Sequence, residues 1–167
     1  MIKPPSLVRE YTWIWSKDPA VDSPPPDAPK KVKAEWDRKL AQARETGVYT
    51  GVLKAGEQPT LFTLRAIPQD VWGAMWSAHH AQDIGVPSLP FVAARLALRG
   101  ISNTGLSEGD PEIKLVRDDK LPDKWADQLG PMAHADALNA FGTWAPLIAS
   151  EMWLHILERQ TAPSPKP

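Results

Sequence analysis

The stretch Leu53–Asp70, LKAGEQPTLFTLRAIPQD, decides how the chain divides. A Gly/Pro turn between Gly56 and Pro59 feeds a short alternating strand, and the strand runs into a helix opened by Pro68. Proline suits the first turn of a helix, where its missing N–H has no intrahelical partner to lose. Ahead of this stretch lies a proline-rich, weakly patterned front third. Behind it apolar residues recur at helical spacing. The expected class is therefore mainly α (α+β): a small helical domain with a short antiparallel β-hairpin and an extended N-terminal arm.

The hairpin is expected near residues 48–67, with strands Val48–Leu53 and Thr60–Ile67 joined by Lys54–Pro59. In the second strand Leu61, Thr63, Arg65 and Ile67 alternate with Phe62, Leu64 and Ala66, as in a sheet covered on one side. Just upstream, Lys30–Thr46 predicts a helix stopped by Gly47. Val32, Trp36, Leu40 and Ala43 form one narrow apolar stripe on this charged cylinder. Residues 1–29 hold seven prolines, including Pro24–Pro26, and so predict an extended or polyproline II arm. Within the arm, Tyr11-Thr12-Trp13-Ile14-Trp15 is strand-prone and aromatic. Disordered arms are poor in aromatics, so this one should dock, on its own body or on a partner.

Downstream, helices are expected at Gln69–Gln82, ended by Gly85 and Pro87, at Leu89–Arg99, with Ser88 as cap and Gly100 as stop, and at Pro122–Leu129. A short strand is expected at Ile113–Val116. A last helix should run from near Ala133 to Arg159 and break between Phe141 and Pro146, because Pro146 clashes with the carbonyl four residues back, at Gly142. Beyond the break Leu147, Ile148, Met152, Trp153, Ile156 and Leu157 make a wide apolar face that calls for burial. The organisation expected is thus an arm (1–29), a helical domain (30–160) and a proline-rich tail (161–167).

Composition removes several classes of function. A chain of 167 residues with 43% hydrophobic residues can build one core, and a net charge of −1 gives no general attraction to nucleic acid or anionic membrane. No apolar run approaches the length of a membrane span, and the first ten residues lack the apolar core of a secretory signal. The absence of cysteine excludes disulfides, thiolate metal sites and cysteine nucleophiles. Eight tryptophans against two tyrosines and three phenylalanines supply large apolar bodies, each with one N–H to satisfy, for core or interface.

No catalytic or metal constellation stands out. His79 and His80 are adjacent on a helix and point about 100° apart, unlike a ligating i, i+4 pair. His134 and His155 are isolated. The acidic residues Glu108, Asp110, Glu112, Asp118 and Asp119 lack the spacing of a calcium loop. Nucleophile-elbow, phosphate-loop and dinucleotide motifs are missing. Lys30, Lys31, Lys33, Arg38, Lys39 and Arg44 make the first helix basic around Trp36, but Glu35, Asp37 and Glu45 share it as ordinary solubilising partners. The expectation is a protein that is not an enzyme and needs no cofactor or metal.

The order of elements carries more information than any one residue. Asp18-Pro19-Ala20 is followed by the charged helix, then by G-E-x-P-T-x-F-x-L-R-x-I (Gly56–Ile67) and a helix. Next come R-L-A-L-R-G-I-x-N (Arg95–Asn103), a polar loop, a D-x-L helix (Asp127, Leu129) and a final amphipathic helix. Over Val8–Gln160 this resembles small proteins encoded in the structural-gene region of tailed bacteriophages, some of them minor virion components and others tail assembly chaperones. The resemblance implies a virion accessory or completion protein assembled in the host cytoplasm, or else a chaperone absent from the mature particle. Its partners would be other phage structural proteins, with no small-molecule substrate, nucleic acid or membrane. Tyr11, Trp13 and Trp15 in the arm and Trp36 on the helix are the expected contact residues, since exposed aromatics anchor interfaces.

Overall fold

Three helices begin directly after a proline: α1 (Lys30–Thr46) after Pro29, α2 (Gln69–His80) after Pro68 and α4 (Asp123–Leu129) after Pro122. Each proline sits at the N-cap with extended dihedrals, φ near −54° and ψ near 142°, and its carbonyl accepts the first helical bonds, as from Lys33 N at 3.1 Å to Pro29 and from Trp72 N at 2.8 Å to Pro68. The ring presets φ, so the chain enters the helix already ordered. The computed structural model describes residues 10–82, 85, 88–103, 115–133 and 136–161. Pro87, Glu108, Asp110, Glu112, Ile113, His134 and the tail beyond Thr161 lie outside the described residues.

The remaining elements are β1 (Glu10–Trp13), β2 (Leu61–Arg65), α3 (Leu89–Ala97), β3 (Leu98–Ser102), β4 (Leu115–Val116), β5 (Met132–Ala133) and α5 (Ala145–Thr161). A 3₁₀ segment, Ala137–Trp144, precedes α5. The mainly α class with a small antiparallel sheet is therefore what the chain adopts. The sheet differs from the expected hairpin. β2 forms as read, but it is the middle strand between β1 and β3. Residues 48–53 make no strand beside it; they lie against the arm, through the antiparallel bridge Val21–Leu53 and the bonds Asp22 N to Val52 O (2.8 Å) and Lys54 N to Ala20 O (2.9 Å). β3 is the second departure. Helical spacing carries the helix to Arg99, yet Leu98 is already extended at φ −73° and ψ 126°. Tertiary strand pairing overrides helix propensity there.

Contacts group the described residues into two units, one from 11–63 and 101–103, the other from residue 10 and the described parts of 64–100 and 115–161. In the first, Ile14, Val21, Leu40, Ala43, Tyr49 and Val52 form a buried cluster, with Trp36, Leu53 and Leu61 packed on its rim. The arm is tied into this core by polar bonds. Arg44 donates to the Ile14 carbonyl through Nε at 3.1 Å and a terminal nitrogen at 2.7 Å, and its guanidinium lies 4.8 Å from the Trp13 ring centre. Tyr49 donates its hydroxyl to the Thr12 carbonyl at 2.7 Å. The buried Asp18 carboxylate accepts from Ala20 N at 2.9 Å and Thr60 N at 3.0 Å. Thr60 in turn donates Oγ1 to the Asn103 carbonyl at 3.0 Å.

In the second unit α5 packs on α3 and on the 3₁₀ segment. The break falls inside the expected interval, at Gly142, whose φ of 57° and ψ of −124° only glycine adopts easily. Pro146 then stands in the first turn of α5, where it is tolerated. Arg99 is buried in β3 and donates to the carbonyls of Leu96, Leu98 and Leu129 at 3.1 to 3.2 Å. Two of these belong to the last turns of α3 and α4, so one cation answers two helix C-termini. Burial is the main reason its pKa is drawn down to about 10, with Arg65 adding to the effect.

Candidate protein-contact surface

On α1 the buried seam is narrower than the apolar stripe predicts. Leu40 and Ala43 are buried, Trp36 is half-buried and Val32 is 46% exposed. Along the flank of this seam run two open grooves that share Lys39. One, of about 420 Å³, lies between the arm at Asp22–Pro25 and Val32, Glu35 and Trp36. The other, of about 380 Å³, lies between Gln42, Ala43 and Thr46 and the following segment at Val48, Gly51 and Val52. Val48 at its edge is 62% exposed. The helical positions 32, 35, 36, 39, 42, 43 and 46 share one face, so the grooves are successive parts of one trough about 21 Å long. Its lining mixes Val32, Trp36, Ala43 and Val48 with Asp22, Glu35, Gln42 and Thr46, and the Lys39 ammonium at its middle lies 3.9 Å from Glu35.

Trp36 is the one expected contact residue that faces this trough. Its indole N–H donates to the Asp22 carbonyl at 3.0 Å, which fixes the ring against the proline run and leaves its apolar body as a wall. The aromatic patch of the arm goes elsewhere. Trp13 is 0% and Trp15 5% exposed, and Trp13 meets Phe62 edge-on at 5.5 Å. Tyr11 is half-buried in β1. The two tryptophans expected to anchor a partner thus serve the core of their own unit. A docked arm is what the aromatic content implied, but the docking is internal.

A second apolar surface departs from the expected burial. α5 buries Ala145, Ile148, Ala149, Met152 and Ile156, whereas Leu147 is 51% and Leu154 59% exposed. Leu147 is expected on the buried face, but it lies about 140° around the helix from Met152. The heptad spacing of Leu147 and Leu154, with Glu151 and Glu158 on the same line, is the signal that separates this outer ridge from the core face.

The other polar features have local partners. His79 meets Trp76 edge-on at 5.8 Å and His80 lies tilted beside it at 6.2 Å, and Trp76 joins Trp72 and Trp153 in an aromatic cluster with centroids 5.7 to 5.9 Å apart. Among the described residues no three His, Cys, Asp or Glu side chains are placed to hold a metal ion. A cavity of about 370 Å³ is lined by Arg95, Arg117, Lys120, Asp118, Asp119 and Asp136 among others. Two of its cations are committed: Arg95 pairs with Asp118, and Arg117 with Asp127 at 2.7 Å and Asp123 at 3.5 Å. Asp127 and Asp123 hold the Arg117 pKa above its ordinary value. No described helix is long and apolar enough to cross a membrane. Compared with known proteins, the chain matches no family model, no curated protein and no solved structure.

Proposed function

We propose that this chain is a non-enzymatic accessory or completion protein of a tailed-phage virion, assembled in the host cytoplasm, which binds other structural proteins of the head or tail. The observation that carries the binding role is the trough along α1. It is open, lined by apolar and polar side chains together, carries the Lys39–Glu35 pair at its centre and is walled by a tryptophan already fixed by its own N–H bond. A preorganised aromatic wall gives up little entropy when a partner docks. The phage assignment is supported by the sequence elements behind the resemblance. Three of them, Asp18-Pro19-Ala20, Pro59-Thr60 and Asn103, meet around Thr60, so these parts of the pattern are joined in one unit of this chain.

Mass spectrometry of purified particles tests the assignment. A virion component is recovered in fixed copy number. A protein absent from particles but bound to a structural protein in infected cells is an assembly chaperone instead. Absence from both ends the phage assignment. Trp36→Ala should weaken recovery with the partner by about tenfold or more, the scale of an interface anchor.

A further inference from the structure

We draw no further inference here: the strongest candidate, the exposed apolar ridge that Leu147 and Leu154 form along α5, carries nothing, because nothing in the structure shows what covers it.

Discussion

Arg44 shows how a single side chain can hold distant sequence together. It binds the Ile14 carbonyl twice and covers the Trp13 ring, thirty residues upstream. Arg44→Met should cost about 1.5–3 kcal/mol in urea unfolding, from a charged hydrogen bond and a cation–π contact. Arg44→Lys should recover only part of this, because an ammonium lacks the two-pronged fork. Along the chain Arg44 is one more charge on a basic helix, and nothing local tells which cation will find a carbonyl. Asp70 makes a gentler case. The Gln128 amide bonded to its carboxylate at 2.8 Å, helped by Lys124, holds its pKa below 3.8. That contribution is present above pH 3.8 and fades as pH falls through the lowered value. A carboxyl titration by NMR should find the low midpoint, and Gln128→Leu should raise it.

At the scale of elements, the arm is the test case. Residues 10–22 supply β1, Trp13, Ile14, Asp18 and Val21 to a buried core. Deleting Met1–Asp22 should therefore abolish the cooperative unfolding transition of that unit, not leave a folded body lacking a partner. Circular dichroism with thermal melting separates the two outcomes. The hairpin failed as an expectation for the same reason: Val48–Leu53 is strand-prone, but the arm takes its backbone bonds. Strand propensity marks a segment as fit for pairing and is silent about the partner. The break before α5 was legible because it rests on local sterics. Gly142→Ala should cost about 1 kcal/mol or more, since φ near 57° with ψ near −124° disfavours any Cβ.

For the whole molecule, what lies on the surface matters as much as what lies inside. Val32 and Leu147 belong to apolar stripes yet stay exposed, while Trp13 and Trp15, expected outside, are interior. Val32→Lys should leave the melting temperature within a few degrees and reduce partner capture, because nearly half of its surface is already exposed. By itself the sequence determined the mainly α class, the starts of three helices after prolines, the central strand and the break at Gly142. These are set by φ restriction, missing N–H groups and short-range periodicity, which act within a few residues. Only the tertiary structure decided that the arm completes the core, that β2 pairs with β1 and β3, and that the trough keeps Trp36 alone of the expected contacts. Those outcomes depend on which distant groups bury one another, and burial energy carries no record of sequence separation.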